Sequence, residues 1–143
     1  MANIIPFAFR GELFSGTHNF ANGGDSFKIA LYTSIGHYTT SSTVYLTNSE
    51  VSASNTGYTA GGLVLDSQAV ASGTAVASVD FADTVINSAT FGASHAAIYN
   101  DQTSTKNLCV ILDFNGTKTA TNGTFTISFP NPSTPADAII SMA

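Results

Sequence analysis

Residues 108–129 read LCVILDFNGTKTATNGTFTISF, and this stretch decides the fold. Its first part predicts a central β-strand, because every second residue from Leu108 to Phe114 is apolar, which places Leu108, Val110, Leu112 and Phe114 on one face. Its last part, from Gly123 to Phe129, predicts a second strand by the same strict alternation. Two Asn-Gly pairs lie between them, at residues 115–116 and 122–123, and both are typical of hairpin corners.

The same two-residue period recurs on the N-terminal side of this stretch. Phe27–Tyr32 predicts a strand, and the runs 74–81, 84–91 and 95–100 predict further strands separated by short turn sequences. About eight short strands at a spacing of roughly 8 to 12 residues favour an all-β fold, an antiparallel β-sandwich of jelly-roll or Ig-like type. The predicted core consists of Phe27, Ile29, Leu31, Val110, Leu112, Phe125, Ile127 and Phe129.

The N-terminus carries the one helical signal. Pro6 suits a first helical turn, Phe9 and Leu13 have i,i+4 spacing, and Gly16 stops the pattern, so one short helix is predicted between Pro6 and Phe20. The Ser/Thr-rich stretch 34–54 predicts an exposed loop with at most a short strand or a helical turn near Glu50. No repeat or linker divides the chain, which predicts a single domain over residues 1–143 with an N-terminal arm or helix at about 1–20.

Composition excludes several classes of protein. The chain has 143 residues, of which 43% are hydrophobic and only 9% charged, so it folds and its polar surface comes from Ser, Thr and Asn. Four Lys and Arg against nine Asp and Glu give a net charge of -5, which argues against nucleic-acid binding. Neither a signal peptide nor a membrane span is predicted, so we expect a chain made in the cytoplasm with no membrane partner.

No pattern of residues indicates catalysis or a cofactor. His18, His37 and His95 fall on different predicted elements without metal-ligand spacing, and the single cysteine, Cys109, is predicted to be a small buried apolar residue. Asp80 and Asp83 are predicted to make turns rather than a catalytic carboxylate pair. Ser, His and Asp are present without a nucleophile-elbow sequence, so no catalytic triad is assigned. We therefore predict a protein that is not an enzyme and has no metal or cofactor site.

The five tyrosines leave two interpretations open. They lie at positions 32, 38, 45, 58 and 99, scattered over predicted strands and loops. Such residues pack at sheet edges with their hydroxyls in water more often than they form a platform that stacks on sugars. Packing is therefore the preferred interpretation, and the platform is the alternative.

Six short motifs resemble those of a family of small virion proteins of tailed bacteriophages, in their order and spacing. They are SFKIALYTS at 26–34, GYTAGGL at 57–63, DFAD at 80–83, AIYN at 97–100, LDF at 112–114 and NGTFTISFP at 122–130. The resemblance implies a non-enzymatic structural component of the particle, of the cement or decoration type, with the major capsid protein as its partner. It also implies a location on the capsid surface of the virion, reached from the host bacterial cytoplasm. The alternative is a fibre or tail-associated carbohydrate-binding module.

Two segments are predicted to make the contacts of such a protein, because termini and long loops can reach a neighbour without disturbing the sheets. Repeated lattice sites favour symmetric binders, so a homo-oligomer is expected. The predicted capsid or oligomer contacts are Ile4, Ile5, Phe7 and Phe9 in the N-terminal segment, and Tyr38, Val44, Tyr45 and Leu46 in the loop. For the N-terminal segment, docking onto its own sandwich is an equally favoured alternative.

Overall fold

The computed structural model describes residues 3–130 and 138–142, which form two antiparallel sheets and one short helix. The predicted all-β, sandwich-like class is confirmed. In chain order the elements are α1 (Phe7–Phe14), β1 (Phe27–Tyr32), β2 (Leu63–Val64), β3 (Ala69–Ser72), β4 (Ala77–Asp80), β5 (Thr84–Asn100), β6 (Leu108–Ile127) and β7 (Ile140–Met142). The first sheet has the order β2-β1-β5-β6 and the second the order β3-β4-β7.

Strands β5 and β6 form one long hairpin, where the sequence predicted four shorter strands. The prediction of hairpin corners at the Asn-Gly pairs was wrong. Asn115 and Asn122 lie inside β6 with left-handed φ values of 54° and 47°, next to shifts in the β5–β6 register. They mark β-bulges, which use the same left-handed conformation as a tight turn and bend the strand instead of ending it. The bend brings the rings of Phe114 and Phe125, both on β6, to 6.5 Å between centroids.

The main core lies between the two sheets, and the eight predicted core residues are all buried in it, none more than 9% exposed. One detail differs. Leu108 does not share a face with Val110, because the register shifts between the pairs Ile98↔Val110 and Tyr99↔Leu108. This bulge at Cys109 turns Leu108 to the opposite face of the sheet, where it packs with Ile111.

That opposite face carries a second buried cluster, so the first sheet is covered on both sides. Ala30, Tyr32, Ala97 and Tyr99 lie there, and the loop that follows β1 covers them. The expectation that this loop is an exposed excursion was wrong for its apolar residues, since Ile35 is 2% and Tyr38 4% exposed. Backbone bonds from Val51 to Leu31 and from Tyr45 to Lys106 hold the loop against the sheet.

The N-terminal segment docks on its own body. Ile4 and Ile111 exchange two backbone hydrogen bonds of 2.8 Å, which adds a short bridge to the outer edge of β6. Helix α1 ends at Phe14, earlier than Phe20, and Gly16 follows with a φ of 73°. Within residues 3–9, Ile4 and Phe9 thus contact the chain's own body, whereas Phe7 is exposed.

Candidate functional site

All five tyrosines gather around the loops between β1 and β2, with the carboxylate of Glu50 at their centre. The Tyr58 hydroxyl donates to Oε1 of Glu50 at 2.6 Å, and the Tyr45 hydroxyl donates to Oε2 at 2.5 Å. The Gly61 backbone N–H also donates to Oε1, at 2.7 Å. The neighbouring Gly62 has a φ of 89°, and a Cβ there would overlap the carbonyl oxygen of Ile29, so glycine is required where this loop crosses the sheet. Glu50 therefore joins distant parts of the connection between β1 and β2, at Tyr45 and at residues 58–61, through three charge-assisted hydrogen bonds.

The other three tyrosines complete this cluster. Tyr32 donates to the Leu46 carbonyl at 2.7 Å, and the Leu46 N–H donates to the Tyr38 hydroxyl at 2.8 Å. Tyr99 donates to the Gly61 carbonyl at 2.5 Å and stacks on Tyr45 with 4.5 Å between ring centroids. Burial is the largest cause that raises the pKa of all five phenols, and the charge of Glu50 adds to it.

The tyrosines were predicted to pack at the sheet edges with their hydroxyls in water, and this prediction was wrong. Four of the tyrosines are buried and Tyr45 is partly buried. A platform that stacks on sugars needs exposed aromatic faces, so the tyrosines do not provide one in this conformation. The cluster's role in this structure is to fix the loops onto the first sheet.

A second buried polar cluster centres on His18, which the sequence analysis considered only as a metal ligand. Nε2 of His18 lies 2.7 Å from Oε2 of Glu12, and its Nδ1 lies 3.1 Å from Nδ2 of Asn100. Asn100 accepts from the Gln102 N–H through Oδ1 and donates to Asp25 through Nδ2, which fixes the orientation of its amide. Nδ1 of His18 is therefore an acceptor and its Nε2–H donates to Glu12, an assignment that follows from the hydrogen-bond network.

Cys109 lies beside this histidine, with 3.9 Å between its Sγ and Nδ1 of His18. A cysteine, a histidine and a carboxylate in this order resemble a nucleophile with its base, but the contacts are wrong for that role. Nδ1 is already occupied by the Asn100 amide, and Cys109 is 0% exposed. Burial raises the pKa of the Cys109 thiol well above its usual value, which suppresses the reactive thiolate. The expected small buried residue is what the structure contains.

Native protein should accordingly react with a thiol reagent only through unfolding. At about pH 8 we expect the Cys109 thiol to react with Ellman's reagent at least about 100-fold more slowly in buffer than in denaturant, since both its exposure and its thiolate fraction rise on unfolding. Absorbance of the released thiolate measures the rate. Rapid, complete reaction in buffer, with the native circular dichroism spectrum retained, would contradict the buried position of this thiol.

His95 takes part in a third polar contact, with Ser94 and Asp113. Its Nδ1 lies 2.7 Å from the Ser94 hydroxyl, and its Nε2 lies 3.5 Å from Oδ1 of Asp113. The Ser94 hydroxyl donates to the Thr33 carbonyl at 2.8 Å, so its proton is not directed at the imidazole as a serine nucleophile requires. These residues fasten the end of β1 to β5.

The two aspartates near the β4–β5 link were predicted to make turns, but neither lies in a turn. Asp80 is the last residue of β4, opposite Ala69, and Asp83 accepts the Phe129 N–H through Oδ1 at 2.9 Å. Across residues 3–130 and 138–142, no group of three or more His, Cys, Asp or Glu side chains is arranged to bind a metal ion.

The outer face of α1 carries the two large apolar side chains that are most exposed among residues 3–130 and 138–142. Phe14 is 90% and Phe7 59% exposed, and the Arg10 guanidinium lies over the Phe7 ring, 5.4 Å from its centroid. Beside the helix runs an open groove of about 430 Å³ between α1 and the second sheet. Its apolar lining includes Leu13, Phe20, Val70, Val79, Ile140 and Met142.

The predicted contact residues divide into those used inside the molecule and those on its surface. Phe9, 1% exposed, and Tyr38, 4% exposed, lie in the two cores and are not available to another chain in this conformation. A partly buried group packs against the cores or pairs with neighbouring backbone, and comprises Ile4, Ile5, Val44, Tyr45 and Leu46. Phe7 alone of the predicted set is exposed.

Sequence reasoning missed Phe14, Glu50 and His18. The spacing of Phe7 and Phe14 on a helix whose opposite face holds Phe9 and Leu13 is a usable signal for Phe14, because it makes the helix apolar on both sides. A single acid in a Ser/Thr-rich segment between two tyrosines is a weak signal for Glu50. For His18 the sequence carries none.

Comparisons with protein-family models, with curated proteins and with solved structures found no match to this chain. Among the described residues, no helix is long and apolar enough to cross a membrane.

Proposed function

We propose that this chain is a non-enzymatic structural protein of a bacteriophage virion, a capsid cement or decoration protein that stabilises contacts between major capsid subunits. The observation that carries the proposal is a set of large apolar side chains exposed on a body with few charges. This set comprises Phe7, Phe14, Val64, Val70, Val85 and Met142. The motif resemblance supports the phage assignment, and the surface supports a role in binding another protein.

The composition of this surface suits attachment to a capsid lattice. With 9% charged residues, contacts must rest on apolar burial and on hydrogen bonds from hydroxyl and backbone groups. Salt screens such contacts little, whereas it weakens ion pairs between exposed charges. A decoration protein of this kind therefore holds its site over a wide range of ionic strength.

The positions of the polar residues support a non-enzymatic role over the rival classes. Cys109 and His18 are buried, the Ser94 hydroxyl donates to a carbonyl, and Asp83 bonds the backbone of Phe129. The carbohydrate-binding alternative rested on a platform of tyrosine rings, and the tyrosines are turned inward. With a net charge of -5, the proposed partners are the major capsid protein and further copies of this chain, without nucleic acid or membrane.

Particles of the phage that encodes this chain test the proposal. We expect deletion of the gene to give particles that release DNA at a lower temperature, and added protein to restore the wild-type release temperature. Because the proposed contacts are largely uncharged, the added protein should stay bound through washes from about 0.05 to about 1 M NaCl. Electron cryomicroscopy should show one copy of this fold at repeated positions on the capsid surface.

Three outcomes would contradict the proposal: absence of the chain from purified wild-type particles, density confined to the tail, or loss of binding in moderate salt. A matched control is a lysozyme-sized acidic protein without the exposed apolar set, which should wash off the particles at every salt concentration.

A further inference from the structure

Strand β6 has an outer edge that the described chain covers only in part. It is the last strand of the first sheet, whose order is β2-β1-β5-β6, so one of its sides has no neighbouring strand. At the start of that side, Ile4 exchanges two backbone hydrogen bonds of 2.8 Å with Ile111. The Asp113 N–H then donates to Oδ1 of Asn3, also at 2.8 Å. Over residues 117–127, nothing within the described ranges pairs with the backbone on this side, so the N–H and C=O groups that point away from β5 have no partner in the sheet.

The other strand edges are short or covered. β2 has two residues, β3 four and β7 three, which leaves little backbone for another chain to pair with. β5 has a free side beyond its pairing with β1, but the connection between β1 and β2 lies against it. The Thr90 N–H donates to the Thr56 carbonyl at 2.9 Å, and a Cβ built on Gly57 would lie 2.7 Å from the carbonyl oxygen of Ser88. Among residues 3–130 and 138–142, β6 therefore has the longest uncovered edge.

A groove of about 330 Å³ lies beside the uncovered part of this edge. Its apolar lining comes from Phe114, Phe125 and Ile127, and exposed threonines of β6 also line it. Lys118 lines it as well, and is the only charged residue between Asp113 and the end of the strand. This volume is at the small end of the roughly 300 to 1,000 Å³ of ligand pockets, so the groove suits a side chain of another protein.

We propose that an extended segment of another protein adds to the outer edge of β6 as a further strand over residues 117–127, with one large apolar side chain in the groove. An extended chain presents the alternating N–H and C=O groups that a strand edge lacks, and pockets beside the edge select its side chains. The pair of Ile4 and Ile111 shows that this edge accepts antiparallel backbone in the same way. The inference rests on the proposed function, in which the segment belongs to the major capsid protein.

The edge favours a different chain over a second copy. A bulge and a lysine are two of the devices that keep edge strands from pairing with copies of themselves, and β6 carries both, at Asn122 with its φ of 47° and at Lys118. A second copy would also bring the same net charge of -5. Since Lys118 is the one charged residue within 117–127, the edge suits a segment that is itself largely uncharged. Salt weakens the backbone hydrogen bonds of such a pair little.

Hydrogen exchange followed by mass spectrometry tests the added strand, with the full chain free in solution and bound to the gene-deletion particles. The outward amides within 117–127 are open to water in the free chain. We therefore expect peptides that cover this range to exchange at least about tenfold more slowly on the particles. Peptides that cover the turn 101–106, which carries none of the exposed large apolar side chains, should exchange at the same rate in both states.

A pair of matched variants tests the groove. Thr124 lines it, whereas Thr121 lies on the same strand outside it, and both are exposed. Thr124→Trp should fill the groove and raise the Kd for the particles at least about tenfold, with the melting temperature changed by less than about 2 °C. Thr121→Trp is the control and should leave the Kd unchanged.

Two results would overturn the added strand and leave the virion function standing. One is binding of the wild type to the particles without slower exchange over 117–127. The other is a Thr124→Trp variant that binds as tightly as the wild type. Absence of binding to the gene-deletion particles would refute the virion function and the added strand together.

Discussion

Raising the pH from about 9 to about 12 should unfold this protein in one step and ionise its five tyrosines together. Burial raises the pKa of each phenol above its ordinary value of 10.0. A group whose pKa is raised in the folded state stabilises the fold fully below the pKa of the unfolded chain, and that contribution is lost as the pH rises above it. The loss therefore begins near pH 10 for the tyrosines, and lower for the buried thiol of Cys109.

The size of the effect follows from the number of groups. Each phenol that ionises only in the unfolded chain lowers the free energy of unfolding by up to about 1.4 kcal/mol per pH unit, so five together reach about 7 kcal/mol per unit. A typical total stability of about 5 to 15 kcal/mol is then exhausted within roughly two pH units above 10.

Phenolate absorbance and far-ultraviolet circular dichroism, recorded in one alkaline titration, measure this prediction. The two signals should change together. Tyr45→Phe supplies the control, because it removes one ionising group and should make the pH dependence of stability about one fifth shallower. Gradual phenolate formation centred near the ordinary pKa, with the circular dichroism still native, would show that the tyrosines are not buried as described.

The elements that the sequence predicted well are those set by a local period. Phe27, Ile29 and Leu31 alternate on β1 because one face of that strand meets the main core, and Phe125 and Ile127 alternate on β6 for the same reason. The structure at the two Asn-Gly pairs could not be predicted from the local sequence alone. A hairpin corner and a β-bulge both use left-handed backbone at Asn or Gly, and only the continued pairing with β5 distinguishes them.

The polar clusters were not predictable because their members are far apart in the sequence. Glu50 meets Tyr58 and Gly61 only after the connection between β1 and β2 folds over β1, and His18, which precedes β1, meets Asn100 at the end of β5. For the N-terminal residues, the local sequence was clear but allowed two different contacts. Ile4 and Phe9 are apolar enough for an intermolecular contact or for the chain's own core, and the composition of the segment is the same in both cases. The exposed position of Phe14 becomes evident only once Phe9 and Leu13 define which side of α1 is inward.

Replacing Glu50 with alanine should destabilise the protein by about 3 to 5 kcal/mol and lower its melting temperature by roughly 10 °C. The substitution leaves the hydroxyls of Tyr45 and Tyr58 and the N–H of Gly61 without their acceptor. Tyr58 is 3% exposed, and its oxygen also accepts the Leu31 N–H, so its hydroxyl cannot turn freely toward water. Each buried donor without an acceptor costs about 1 to 3 kcal/mol.

Two variants identify the cause of that loss. Glu50→Gln keeps an amide oxygen that can accept from Tyr58 and Gly61, so it should recover more than half of the stability. Asp66→Ala removes an exposed carboxylate and should change the melting temperature by less than about 2 °C, since surface substitutions are usually within about 0.5 kcal/mol. Thermal unfolding followed by circular dichroism measures all three variants. If Glu50→Ala melts like Asp66→Ala, the Glu50 carboxylate does not hold the loops between β1 and β2, and the tyrosines pack without it. If Glu50→Gln is as unstable as Glu50→Ala, the negative charge, rather than the acceptor geometry, stabilises the tyrosine cluster.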